Sequence, residues 1–116
     1  MTTLHAIQIF DQKQGPLPIN ASFTSSGGTL VITFSGSGWT TAGPGRIGMT
    51  RQLDGQNVGS AHCFANEAAS HKVFTTNMLV QANVAAGNHR IVLTALPGTN
   101  TDQADWFNVT ILEIQS

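Results

Sequence analysis

Nowhere along this chain do apolar residues recur with the 3.6-residue period of a helix. They alternate with period two or come in short runs, and clusters of Gly, Pro, Asn and Asp separate those runs. Strands are therefore expected at 4–10, 20–26, 29–35, 46–53, 56–64, 73–84, 88–96 and 106–114. The segment AHCFANEAASHK (61–72) has good helix formers but no sustained helical period, so it reads as a strand end followed by a loop. Residues 36–45 read as a loop from their Gly and Pro content. Asp54-Gly55 is the strongest local signal, because a type I′ hairpin turn needs positive φ at both central residues. About eight short strands without helices predict an all-β, two-sheet jelly-roll sandwich. The 116 residues fit one such domain, 1–116, with no linker and no internal repeat.

Three of these strands carry apolar residues on both faces. In 88–96, Ile91 and Leu93 oppose Val92 and Leu96. In 106–114, Phe107, Val109 and Ile111 oppose Trp106, Leu112 and Ile114, and in 29–35 Val31 opposes Leu30, Ile32 and Phe34. With no helix to cover a second face, a neighbouring copy of the chain is the expected cover, at about 800 Å² per partner. Charged residues make up only 9% of the chain and the net charge is -1, so little repulsion keeps copies apart. The five Lys and Arg form no basic patch, which excludes nucleic acid as the expected partner. Cys63 is alone and supports no internal disulfide. The stretch MTTLHAIQIFDQKQG has neither a basic n-region nor a long apolar run, so no signal peptide is expected. No run approaches the roughly 18 apolar residues of a membrane span. Cytoplasm and export without disulfides both fit, and the compartment stays open.

The succession IGMTRQLDGQNVGSAHCF, VAAGNHRIVLTAL and WFNVTILEI, within roughly residues 28–115, resembles tumour-necrosis-factor-like or complement-like jelly rolls. That group includes small bacterial fucose-binding lectins, and related folds occur in phage-tail and virion parts. The resemblance implies a homotrimer with the last strand near a threefold axis and ligands bound between protomers. The family often places tyrosines around that axis, whereas this chain has no Tyr. No sugar-contacting residue carries over one by one.

Chemistry-bearing residues are few. His62, Glu67 and His71 lie close in sequence, but the His-x-His pair of cupin-type metal sites is missing, since Phe64 stands two after His62. Structural or surface roles explain the histidines without a metal ligand. Cys63 and His62 point to opposite faces of one strand, so they make no nucleophile–base pair. Asn100, Asp102 and Asp105 share a loop, where Asx hydrogen bonds explain them. Their oxygens also suit calcium. No phosphate-binding or dinucleotide fingerprint appears, so no cofactor and no enzymatic activity are expected. Trp39 sits in a Gly/Thr-rich loop and Trp106 follows Asp105. Indole stacks on the apolar face of a sugar ring while carboxylate, amide and guanidinium groups meet its hydroxyls. The expected ligand-binding set is Trp39, Arg46, Asn100, Asp102, Asp105 and Trp106, with Arg51 as an alternative to Arg46. The other reading of these residues is that Trp106 anchors the core and the acids solvate a loop. The sequence thus points to a non-enzymatic, oligomeric carbohydrate-binding module. The alternative is a structural protein such as a virion or phage-tail component.

Overall fold

The computed structural model describes residues 2–115. Among these residues ten strands follow one another: β1 (Thr3–Gln14), β2 (Ile19–Ser25), β3 (Gly28–Ser35), β4 (Ser37–Gly38), β5 (Gly45–Leu53), β6 (Gln56–Ala65), β7 (Lys72–Val73), β8 (Asn77–Val84), β9 (Gly87–Ala95) and β10 (Trp106–Gln115). They form two antiparallel four-stranded sheets, ordered β1-β10-β3-β8 (sheet A) and β2-β9-β5-β6 (sheet B), with β4 and β7 paired as a short ribbon. The architecture is the expected all-β jelly-roll sandwich. Among the described residues, no helix is long and apolar enough to cross a membrane.

Strand alternation puts one set of residues between the sheets. Leu30, Ile32 and Phe34 of β3, Ile91 and Leu93 of β9, and Phe107, Val109 and Ile111 of β10 are all fully buried there. Cys63 packs against this core as a partly buried residue. Asp54 and Gly55 both have positive φ and join β5 to β6, as the Asp-Gly signal requires. Three expectations shift. β1 continues to Gln14, through two register irregularities and a left-handed Gln12. The segment 73–84 is broken at Phe74, whose buried ring leaves β7 and β8 separate. A two-residue strand, β4, interrupts the loop 36–45.

The second faces divide unequally. In sheet A, Ala6, Leu112, Val31 and Val80 form one cross-strand row on the outward surface. Leu4 and Ile114, in line with Thr29, flank it on one side; Thr33 and Met78 flank it on the other. Leu4, Val80 and Met78 are 63%, 63% and 64% exposed. In sheet B the expectation fails. Val92 lies between Asn20 and Gln52, and Thr94 pairs with Thr50, so the outward surface around β9 is polar. Leu96 lies beyond β9, with its N–H donated to the Gly48 carbonyl.

At the end of β10, Glu113 takes an inward position and is almost fully buried. Its carboxylate accepts hydrogen bonds from Ser25 Oγ (2.8 Å), the Ser26 N–H (2.8 Å) and His5 Nδ1 (3.1 Å). Burial favours its neutral form, but these bonds outweigh burial and hold its pKa below the ordinary value. Its charge therefore stabilises the fold above the unfolded-state pKa of about 4.3, and that contribution is lost as pH falls through the folded-state value. Glu113→Ala strips the acceptor from the Ser25 hydroxyl and Ser26 N–H. We expect it to lower the unfolding free energy by about 2–4 kcal/mol, read as a lower urea midpoint at unchanged m-value.

Candidate functional site

Four connections meet at one end of the sandwich: β1 to β2, β4 to β5, β6 to β8, and β9 to β10. They are tied together on Asp105. This residue directly precedes β10, shares the inward parity of Phe107, and has no solvent exposure. Its Oδ1 accepts hydrogen bonds from Ser37 Oγ (2.7 Å) and His71 Nδ1 (2.8 Å), and its Oδ2 accepts the Asp102 N–H (2.9 Å). Its own carbonyl accepts the Gly15 N–H (2.8 Å). Such a buried carboxylate is tolerable only because donors surround it.

Trp39 and Asn100 form an isolated antiparallel bridge, with backbone bonds of 2.9 and 2.7 Å in the two directions. Gly38, just before, has no room for a side chain: a Cβ would lie 2.8 Å from the Phe74 ring and 2.9 Å from the Asn100 carbonyl. The Trp39 ring lies 6.0 Å from that of His71, and its indole nitrogen is buried with no acceptor among the described residues.

Above the buried Asp105, two polar groups stay open. Asp102 Oδ1 accepts the Ala104 N–H at 2.8 Å, forming the expected Asx turn. Its Oδ2 lies 3.8 Å from His71 Nε2, and both side chains are about half exposed. Neither of these two atoms has a hydrogen-bond partner among the described residues. His71 has its pKa raised: its hydrogen bond to Asp105 outweighs burial, which lowers it, and the charges of Asp105 and Asp102 add to the rise.

The structure thus brings together Trp39, Asn100, Asp102 and Asp105. Trp106, 46% exposed, lies on the outward face of sheet A opposite Gln14. That face is the other side of the strand from Asp105. Arg46 pairs with Phe64 across β5 and β6, on sheet B, and no bond joins it to the cluster. Arg51 is buried. It donates to Asn77 Oδ1 (2.7 Å) and the Val58 carbonyl (3.0 Å), with its guanidinium 4.7 Å from the centre of the Phe34 ring. Sequence reasoning missed His71 as a member of the site. Its partner Asp105 is 34 residues away, and nothing local announces the pairing.

One ligand atom each from His71, Asp102 and Asp105 lies within 4.8 Å of the others, a spacing that could hold a metal ion. Ser37 and His71 both donate to Asp105 Oδ1, so the three do not form the hydroxyl-to-imidazole-to-carboxylate chain of a catalytic triad.

A raised histidine pKa means that the stabilisation is fully present below the unfolded value of about 6.5 and is lost as pH rises through the folded value. Asp105→Asn is expected to return the His71 titration, followed by its ring Cε1–H in NMR, toward about 6.5. The fall in thermal stability as pH rises across that titration is expected to be smaller in the variant than in the parent.

No protein-family model matches the sequence, and no curated protein matches it. In structure the chain is similar to part of dimeric latent PorU from Porphyromonas gingivalis. The TM-score is 0.57 at 14% identity, covering 99% of this chain and 12% of that one. It is also similar to a family 35 carbohydrate binding module from Clostridium thermocellum. That TM-score is 0.52 at 15% identity, covering 95% of this chain and 90% of the module. Likeness at these identities establishes the fold, a jelly-roll β-sandwich.

Proposed function

We propose that this protein is a non-enzymatic, self-associating carbohydrate-binding module whose sugar site is the loop end around His71 and Asp102. One observation carries the reading. An acceptor oxygen and an imidazole nitrogen stand 3.8 Å apart as a half-exposed ion pair, with no hydrogen bond between them, and Asp105 holds both from below. Adjacent ring hydroxyls are matched to such a pair: one donates to Asp102 Oδ2, and its neighbour accepts from the Nε2–H of protonated His71. The half-exposed Trp106, with the amide-bearing Gln14 opposite, offers a stacking surface beyond the loops. The fold shared with a carbohydrate binding module supports the same reading.

Self-association rests on the outward surface of sheet A. None of Leu4, Ala6, Gln8, Thr29, Val31, Thr33, Met78, Val80, Thr110, Leu112 and Ile114 is charged. Four strands about 4.8 Å apart, with five outward positions along β10, span roughly 20 by 30 Å. That approaches the roughly 800 Å² per partner of a standard interface. A second copy meets this surface without burying a charge, and the trimer implied by the tumour-necrosis-factor-like resemblance is the proposed state. The same face favours a second reading, in which assembly itself is the function, as in a virion or tail part.

Two measurements separate these. A glycan array followed by calorimetry should find a neutral glycan whose affinity falls about tenfold or more in Asp102→Ala and in His71→Ala, the loss of one directed hydrogen bond each. No binding across the array contradicts the sugar reading and leaves assembly. Light scattering should give a multiple of the 12.2 kDa chain mass, reduced to a single chain by Val80→Lys combined with Leu112→Glu. A single chain at high concentration contradicts self-association.

A further inference from the structure

At the other end of a molecule 51 Å long lies a cleft of about 210 Å³. It opens between the Asp54-Gly55 turn with the start of β6 and the end of β8 with its turn into β9. Leu53, Val58 and Val84 supply apolar wall, and Gln56, Gln81 and Asn83 supply side-chain amides. None of the three amides has a hydrogen-bond partner among the described residues.

Two of those amides stand where strand rules disfavour them. Gln81 pairs with Leu30 and shares the inward parity of Leu79, so it fills a position that faces the core, half buried. Asn83 is left-handed, with φ 58°, an uncommon conformation for a residue other than glycine. It lies in a β-bulge, because two residues of β8, Ala82 and Asn83, stand opposite the single Thr29 of β3. Bulges re-aim side chains, and Asn tolerates the left-handed conformation that this one requires.

The cleft is also clamped. His89 Nδ1 meets Asp54 Oδ2 at 2.6 Å, and its Nε2 meets the Ala85 carbonyl at 2.7 Å. Both partners only accept, so both ring nitrogens donate and the imidazole is cationic. Asp54 Oδ1 takes the Arg90 N–H at 2.8 Å. The one anionic wall is thereby neutralised, and an ionic ligand finds no counter-charge.

We propose that this cleft binds a single neutral sugar ring, independently of the loop end. Each amide both donates and accepts, as a hydroxyl does, and the apolar wall suits the C–H face of a pyranose. The volume is below the roughly 300 Å³ at which drug-sized pockets begin, which suits one ring and not a chain.

The test is an NMR titration of the isotope-labelled full chain with the methyl glycosides of glucose, galactose, mannose and xylose, each to ~10 mM. The expected result is saturable movement of the Gln56, Gln81 and Asn83 side-chain amide signals with at least one glycoside. Gln81→Leu suits its inward position and keeps the fold, which the spectrum itself verifies. It should weaken that binding about tenfold, whereas Asp102→Ala leaves it unchanged. Four glycosides that leave these amides still, or shifts confined to His71 and Asp102, overturn the inference, the latter while sparing the loop-end reading. Gln81→Leu binding like the parent overturns it as well.

Discussion

A charge buried at each end of one central strand holds the connections of this sandwich in place. Asp105 and Glu113 lie in the same inward register as Phe107, Val109 and Ile111. Each carboxylate draws in three donors: Ser37, His71 and the Asp102 N–H at one end, Ser25, the Ser26 N–H and His5 at the other. An ionised group out of water is costly unless it is fully hydrogen-bonded, and removing one donor leaves that cost exposed. Loops that would otherwise wander are therefore obliged to converge. The chain has few charges, and it places some of them inside to order its ends.

That economy shapes the surface. With Asp105, Glu113 and Arg51 buried and Asp54 matched to His89, the exterior is largely amide, hydroxyl and aliphatic. Such a surface suits neutral partners. At the loop end it leaves one oxygen and one nitrogen half exposed above Asp105. On sheet A it leaves a row of aliphatic side chains that a like surface can cover. At the far end it leaves three amides around an apolar recess.

How much of this was legible in the sequence follows from what is local. Period-two alternation identifies the buried faces of β3, β9 and β10, and Asp54-Gly55 marks its hairpin. Parity alone puts Asp105 and Glu113 on the side of Phe107, so their burial was readable in principle from WFNVTILEI and its preceding acid. Pairing between distant strands was not. Whether the second face of a strand is apolar depends on its neighbours: Val31 and Leu112 meet Val80 and Ala6, whereas Val92 meets Asn20 and Gln52. The same limit hid His71, whose role exists only because the β4–β7 ribbon carries it to Asp105. Arg46, credible beside Trp39 in sequence, is drawn off to sheet B by its pairing with Phe64.

Amide hydrogen exchange tests most directly the claim that the buried carboxylates organise the ends. Asp102 and Ser26 lie outside the regular strands, yet each donates its N–H to one of these acids. Their amides are predicted to exchange only by global opening, with the same free energy as Ile111 and Leu93 in the core. Exchange of Asp102 and Ser26 through cheap local openings, at rates like that of exposed Gln103, would contradict it.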